Sequence, residues 1–265
     1  PLKLMLSATY TPAPLYVNTP HPIIEAYAAG LRAYYREDYP AMLNYMLQAV
    51  QNDPQSPDTH YYVGEAYRFM GEYDKALEAY NQAILVDARF APAYIGRARV
   101  LLISNPKAKI EKDLEQAAEL DPNLVDTYLV RAGYLLKMGD PESALQDLTT
   151  VENLNPNIPL MYAYRAQALL KLGKKEEALQ DARRAHEMDF TLLPAYLTLG
   201  QASLANGLPR LAIDNLKTYL VYEAEDPNAW LALGQAYYGE GRDYAKALEA
   251  YNQALTLDDQ LTEAY

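Results

Sequence analysis

The chain has 265 residues, no cysteine and a formal net charge of −12 at pH 7. The absence of cysteine excludes disulfides, thiolate nucleophiles and metal sites with cysteine ligands. The acidic balance disfavours nucleic acid and anionic membranes as partners, because both require clustered lysine and arginine side chains. Hydrophobic residues make up 50% of the sequence, which is enough apolar material for a core.

The first 22 residues are rich in proline and threonine and fit no repeat. This composition predicts an extended linker. Residues 2–6 are apolar apart from Lys3. They have two interpretations, the tail of an upstream membrane anchor or an adhesive disordered end. Because residue 1 is proline, we expect a piece of a longer chain, located in the cytoplasm or outside it behind such an anchor.

A repeat of 34 residues organises the remainder. The sequence KALEAYNQA occurs at residues 75–83 and again at 246–254, a separation of five periods and one residue inserted within 242–244. A small residue holds the eighth place of seven successive units: Gly30, Gly64, Ala98, Ala132, Ala166, Gly200 and Gly234. The pattern predicts units at residues 23–56, 57–90, 91–124, 125–158, 159–192, 193–226 and 227–261, with residues 262–265 beginning a further repeat.

Glycine and proline predict a helix, a turn and a second helix in each unit, which we call helices A and B. Five glycines stand at the fifteenth place, where a left-handed backbone would end helix A: Gly71, Gly139, Gly173, Gly207 and Gly241. Pairs such as Asp53-Pro54 and Asp121-Pro122 end helix B, because the residue before proline disfavours the α region. The small residues at the eighth place are predicted to lie where helices A and B approach most closely.

The last unit contains Trp230, Leu233, Gly234 and Tyr237, and their spacing resembles the W-x2-L-G-x2-Y signature of the tetratricopeptide repeat family. The resemblance extends over residues 23–261. It implies an all-α fold, a right-handed α–α superhelix of seven helix–turn–helix repeats. Tyr219 departs from the family pattern because a small residue is usual at its place, and we expect altered packing between the fifth and sixth units there.

Aromatic residues at the fourth place are predicted to fill the gaps between units. His60 shares this place, so we interpret it as a packing residue, and neither His21 nor His186 has a plausible triad partner. The sequence contains no glycine-rich phosphate loop and no metal-ligand spacing. We therefore expect no enzymatic activity, no cofactor and no metal.

The resemblance implies a binding groove lined by the second, fifth, ninth, twelfth and thirteenth places of the A helices. The predicted contacts at these places are Tyr27, Tyr34, Tyr35, Tyr61, Arg68, Arg99, Leu129, Lys171, Leu197, Leu231 and Tyr238. The aromatic and aliphatic members predict an apolar groove, and the cations favour an acidic ligand. An alternative for the aliphatic members is packing between adjacent A helices.

The ninth place of the last three units holds Gln167, Gln201 and Gln235. Each amide can donate and accept hydrogen bonds, so the row is predicted to pair with an extended peptide backbone. Family members that bind a terminal carboxylate have lysine and asparagine at the fifth and ninth places of the first unit. This chain has Tyr27 and Leu31 there, so carboxylate recognition of that kind is not expected.

The leading hypothesis is a protein–protein interaction scaffold that binds a protein or peptide segment in the groove. The alternatives are a structural spacer or self-assembly element, and an accessory module of a larger enzyme or membrane-anchored protein. Leu255, Leu257 and Leu261 are followed by no polar capping helix. We therefore expect homo-oligomers through the C-terminal repeat, or through the N-terminal tail.

Overall fold

The computed structural model describes residues 25–105, 108–241 and 243–261. These residues contain fourteen α-helices and no β-strand, which confirms the all-α fold class. The predicted linker at residues 1–22 and the start of a further repeat at 262–265 lie outside the described residues. The helices are α1 (Glu25–Tyr34), α2 (Tyr39–Asn52), α3 (Pro57–Phe69), α4 (Tyr73–Val86), α5 (Ala91–Ser104), α6 (Glu111–Leu120), α7 (Val125–Met138), α8 (Pro141–Leu154), α9 (Pro159–Lys171), α10 (Lys175–Met188), α11 (Leu193–Ala205), α12 (Pro209–Tyr222), α13 (Pro227–Gly241) and α14 (Tyr244–Leu257).

The chain divides into two compact units, with the boundary between Arg131 and Ala132, inside α7. We call residues 25–131 the N-terminal unit and residues 132–261 the C-terminal unit. None of the helices in the described ranges has the length and apolarity needed to cross a membrane.

In both units, helices B pack against their own helix A and against the helix A that follows, as four of them show. In the N-terminal unit, α2 contacts α1 and α3, and α4 contacts α3 and α5. In the C-terminal unit, α10 contacts α9 and α11, and α12 contacts α11 and α13. The A helices α9, α11 and α13 also contact one another in succession, so their side chains at equivalent places lie in a row.

Glycine at the eighth place allows helices A and B to approach closely, as predicted. A Cβ atom added to Gly64 would lie 2.6 Å from Tyr80 Cε1, and one added to Gly234 would lie 2.5 Å from Tyr251 Cε1. A Cβ atom added to Gly200 would lie 2.6 Å from Leu216 Cγ. At these three glycines a Cβ atom would collide with the facing side chain, which would have to shift.

The glycines that end helix A have the left-handed backbone predicted for them, with one exception. Gly71, Gly139, Gly173 and Gly207 have φ angles of 77°, 82°, 74° and 70°. The prediction for Gly241 is wrong, because α13 continues through this residue and is the longest helix, at 15 residues. The residue inserted within 242–244 accompanies a longer helix A, which ends at Gly241 itself, whereas α3, α9 and α11 end at the thirteenth place.

Two hydrogen bonds recur in the turns between units. The fourth-place ring bonds to the backbone carbonyl six residues earlier, at 2.8–3.1 Å, in six units: His60, Tyr94, Tyr128, Tyr162, Tyr196 and Trp230. A carbonyl only accepts, so His60 Nε2 carries the proton, and its structural role agrees with the packing interpretation. A second bond runs from a backbone amide to the Asx side chain two residues earlier at Asp53, Asp87, Asp121, Asn155, Asp189 and Asp258.

The turn after α12, which joins the sixth and seventh units, departs from this arrangement, whereas the sequence predicted altered packing between the fifth and sixth units. Glu223 stands where the other turns have aspartate or asparagine, and Asp226 instead accepts from the backbone amides of Asn228 and Ala229 at 2.9 and 3.2 Å. The Tyr219 hydroxyl donates to Asp226 at 3.1 Å. The large ring is thus accommodated by a shifted turn whose carboxylate satisfies its hydroxyl.

Candidate functional site

The predicted aromatic contacts of the N-terminal unit are mostly part of its core. Tyr27, Tyr34 and Tyr61 are only 7%, 4% and 3% exposed. The Tyr61 ring centroid lies 5.8 Å from those of Tyr80 and Phe90, and burial raises the pKa of Tyr61 well above its ordinary value. In the structure these rings hold helices together, which differs from the open anchors expected from the sequence.

Tyr35 is the exception among the predicted tyrosines of this unit. Its side chain is 62% exposed, and its ring contacts Tyr34 edge to face at 5.5 Å. Tyr35 is therefore the member of this aromatic set that a partner can reach.

A buried ion network occupies the ninth places of the second and third repeats. Glu65 is fully buried and accepts from Arg68 Nε at 3.2 Å, from Arg68 Nη2 at 2.6 Å and from the Tyr80 hydroxyl at 2.5 Å. Burial raises the pKa of Glu65, but Arg68, Arg99 and the Tyr80 hydrogen bond outweigh it and leave the pKa lowered. The carboxylate is therefore ionised and structural.

The two arginines predicted to favour an acidic ligand each have a carboxylate of their own. Arg68 pairs with Glu65, and Arg99 Nη2 lies 2.9 Å from Asp126 Oδ2. Because these ion pairs balance the two charges, the attraction of the N-terminal unit for an acidic ligand is weaker than the sequence alone suggested.

The aliphatic contacts divide between core and surface. Leu129 and Leu231 are 3% and 6% exposed, as in the alternative interpretation of packing between helices. Leu197 is partly buried beside the cluster around Leu216. At the surface, Lys171 is exposed.

An exposed aromatic pair lies near the end of α13. The Tyr238 side chain is 59% exposed, and its ring centroid lies 5.7 Å from that of Tyr244. Tyr238 is thus accessible at the predicted place.

The three glutamines of the C-terminal unit are predicted contacts that the structure leaves at least partly accessible. Gln167 and Gln201 are partly exposed and Gln235 is exposed, on α9, α11 and α13. Since these A helices pack in succession, the amides form one row, which we call the amide row. Leu170 and Leu204, one turn further along α9 and α11, are partly buried beside it.

Profiles of the tetratricopeptide repeat match residues 57–90, 129–189 and 197–261, which together are more than half of the chain. The chain belongs to the tetratricopeptide repeat family. Repeats of this family serve in general as protein-interaction scaffolds. No curated protein sequence matches the chain.

Solved tetratricopeptide-repeat structures share the fold at low identity. A chain of the crystal structure of the APC/C hetero-tetramer Cut9–Hcn1 has a TM-score of 0.71 at 19% identity, over 85% of this chain and 47% of that chain. The type IV pilus biogenesis factor PilW has a TM-score of 0.62 at 16% identity, over 78% and 96%. The thermophilic protein TTC0263 of Thermus thermophilus has a TM-score of 0.58 at 20% identity, over 68% and 98%. This chain spans less than half of the first of these structures, and such identities show the fold alone.

Sequence reasoning missed the ion pairs of the tetratricopeptide repeats. Arg97 donates to Asp113 at 2.6 and 2.9 Å, and Arg165 donates to Asp181 at 2.7 and 2.9 Å. Both pairs join the seventh place of helix A to a residue 16 positions later on helix B, and the same spacing of arginine and aspartate was visible in the sequence. These arginines are thus held within the fold by carboxylates of helix B.

Proposed function

We propose that this chain is a non-catalytic scaffold that binds an extended segment of a partner protein along the A helices of its C-terminal unit. The observation that carries the proposal is the amide row, in which Gln167, Gln201 and Gln235 stand at the same place of three successive A helices. A ligand that crosses these helices would meet one amide at each of them.

Glutamine suits an extended backbone because each amide group can donate to a peptide carbonyl and accept from a peptide N–H. Hydrogen bonds to the amide row would fix the register of the bound segment. Apolar contact with the partly buried Leu170 and Leu204 beside the row would add affinity. The amides carry no charge, so this recognition does not depend on the sign of the ligand's charge.

In this proposal the N-terminal unit has a mainly structural role. Its ninth places hold Glu65 and Arg99, and both side chains are engaged in internal ion pairs. The tyrosines beside them are buried. The unit therefore provides a rigid stack, with Tyr35 as its accessible contact.

A peptide array tests the proposal. The array is probed with labelled protein in three forms, wild type, a variant of the amide row and a matched control in which three exposed helix-B glutamines are replaced. The row variant is Gln167→Ala, Gln201→Ala, Gln235→Ala, and the control is Gln82→Ala, Gln146→Ala, Gln180→Ala.

We expect spots that bind wild type and the control but bind the row variant about tenfold or more weakly, since each lost hydrogen bond costs about 1 kcal/mol. Circular dichroism checks that all three forms are folded. Spots retained equally by the row variant and the control would contradict the proposal.

A further inference from the structure

The turns that join successive repeats depend on a backbone carbonyl. In six of them the fourth-place ring of the next helix A bonds to the carbonyl six residues earlier, at 2.8–3.1 Å. In five of these turns the residue that supplies the carbonyl is proline or alanine: Pro54, Ala88, Pro122, Pro156 and Ala224. The turn therefore requires no large side chain at this place.

The turn after α10 has phenylalanine at this place. The Tyr196 hydroxyl donates to the Phe190 carbonyl at 2.9 Å, so this turn has the same hydrogen bond as the others. The Phe190 side chain is 61% exposed. A large aromatic ring thus faces solvent at a place where the fold elsewhere uses proline or alanine.

Phe190 belongs to a group of aromatic side chains. Its ring contacts that of His186 edge to face, with 5.1 Å between centroids, and His186 contacts Tyr196 in the same way at 4.6 Å. Burial raises the pKa of Tyr196, and Tyr222 and Asp189 raise it further because both lie close to it. The group therefore extends from the turn after α10 to the end of α12.

The turn after α12 adds a second exposed apolar part. Tyr222 ends α12 and is 37% exposed, and Val221 before it is 74% exposed. We call the whole set the aromatic patch: His186, Phe190, Tyr196, Val221 and Tyr222. Helix α9 precedes these turns and α13 follows them within the described residues, so the patch does not lie at an end of the helical stack.

Acidic side chains accompany the aromatic patch. Residues 187–190 and 221–226 contain five acidic side chains and no basic one: Glu187, Asp189, Glu223, Glu225 and Asp226. Three of them, Glu187, Glu223 and Glu225, are exposed. His186 adds no positive charge at neutral pH, because burial lowers its pKa more strongly than Glu187 raises it. The patch is therefore apolar and lies among negative charges.

Elsewhere in the fold, a ring and a carboxylate together hold an arginine. Arg97 lies over the Tyr94 ring at 5.4 Å and pairs with Asp113 at 2.6 Å. Arg165 has the same arrangement in the fifth repeat. A planar guanidinium stacks on an aromatic face while it donates two hydrogen bonds to a carboxylate, whereas the ammonium of lysine is a point charge. Rings among carboxylates thus suit arginine.

We propose that the aromatic patch binds an arginine-containing basic segment of another protein, with a guanidinium stacked on the Phe190 ring and paired with a neighbouring carboxylate. A second copy of this chain fits less well, because each copy has a net charge of −12 and two copies would repel. The patch uses the turns between repeats, whereas the amide row uses the ninth places of the A helices. The two proposals therefore stand or fall separately.

The probes are two fluorescently labelled peptides of equal length and charge, RGRGRGRGR and KGKGKGKGK. Each is titrated with the whole 265-residue protein at about pH 7.5 and about 0.1 M salt, and binding is followed by fluorescence anisotropy. General attraction to an acidic protein acts equally on both peptides. We expect wild type to bind the arginine peptide about threefold or more tightly than the lysine peptide.

Phe190→Ala tests the ring without changing any charge. Alanine occupies the same place of the turn at Ala88 and Ala224, so the variant is compatible with the turn. Its control is Leu85→Ala, which removes a side chain that is 79% exposed on α4. We expect Phe190→Ala to abolish the preference for the arginine peptide and Leu85→Ala to retain it.

Two double variants test the carboxylates at an equal change in net charge. Glu223→Gln with Glu225→Gln changes the patch, and Glu176→Gln with Glu177→Gln changes two exposed acids at the start of α10. We expect the first pair to weaken binding of the arginine peptide about threefold or more relative to the second pair.

Circular dichroism checks that every variant is folded. Equal binding of the two peptides by wild type, a preference that Phe190→Ala retains, or equal weakening by the two double variants would overturn the proposal. A dimer of wild type in sedimentation that Phe190→Ala dissociates would assign the patch to a second copy and overturn it as well.

Discussion

Replacing the duplicated tyrosines one at a time measures how much the contacts of each ring with the neighbouring helices stabilise the protein. Tyr80→Ala and Tyr251→Ala change the same residue within the same nine-residue sequence, so helix propensity and local contacts cancel in the comparison. Tyr80 is packed between Gly64 and Gly96, whereas Tyr251 is packed against Gly234. The difference between the two costs therefore reports the contribution of the following helix together with that of the hydrogen bond from Tyr80 to Glu65.

The structure gives the expected magnitudes. Truncating a fully buried aromatic side chain to alanine costs about 3–5 kcal/mol, and Tyr80 is 0% exposed. Its loss also removes the hydroxyl that donates to buried Glu65, which adds about 1 kcal/mol. Tyr251 is partly exposed, so Tyr251→Ala removes a smaller buried area and costs about 2 kcal/mol.

Urea unfolding followed by circular dichroism at 222 nm gives the overall loss of stability. Repeat arrays can unfold in parts, so hydrogen exchange with mass spectrometry is measured on peptides from α4 and from α14. We expect Tyr80→Ala to lower the free energy of opening at α4 by about 2 kcal/mol more than Tyr251→Ala lowers it at α14. Equal costs, within about 0.5 kcal/mol, would refute the assignment of stability to the second glycine contact.

Two further substitutions test the ion network and the turns. The folded-state pKa of Glu65 lies below its ordinary value of 4.5. Its contribution to stability is therefore present above that pH and is lost as the pH falls through the folded pKa. We expect Glu65→Gln to lower stability at neutral pH and to flatten the loss of stability below the ordinary pKa, which urea unfolding at a series of pH values checks. Gly139→Ala forces alanine to a φ of 82° and is expected to cost about 1 kcal/mol. Gly241 is the last residue of α13 and is not among the glycines with positive φ, so Gly241→Ala is expected to leave stability nearly unchanged. Thermal unfolding of the two variants contrasts them.

Much of the fold was predictable because each repeated residue is required by the local backbone conformation or by the packing of neighbouring helices. A glycine at the fifteenth place ends helix A at Gly71 and Gly139 by adopting a left-handed conformation. The interval between Gly64 and Tyr80 sets where helices A and B touch. The prediction failed at Gly241 because the amino acid at the fifteenth place is the same as in the other units, and the residue inserted nearby, within 242–244, was not taken into account.

The candidate site was less predictable because the repeat place gives only the direction of a side chain. Whether the side chain is covered depends on the size of its neighbours. Tyr61 is buried because Tyr80 and Phe90 surround it, and Arg99 is engaged because Asp126 lies 2.9 Å away. Gln235 is exposed, whereas Gln167 and Gln201 are partly exposed, so accessibility differs even along one row.

The most direct test of the central claim is calorimetric titration of one array-selected peptide into wild type, Gln201→Ala and the control Gln180→Ala. Gln201 is the middle amide of the row, and Gln180 is an exposed glutamine on helix α10. The scaffold proposal predicts that Gln201→Ala weakens binding by about 1 kcal/mol, roughly fivefold in Kd, through loss of a hydrogen bond. It also predicts that Gln180→Ala binds as wild type does. Equal affinities for all three proteins would contradict the claim that the amide row holds the partner.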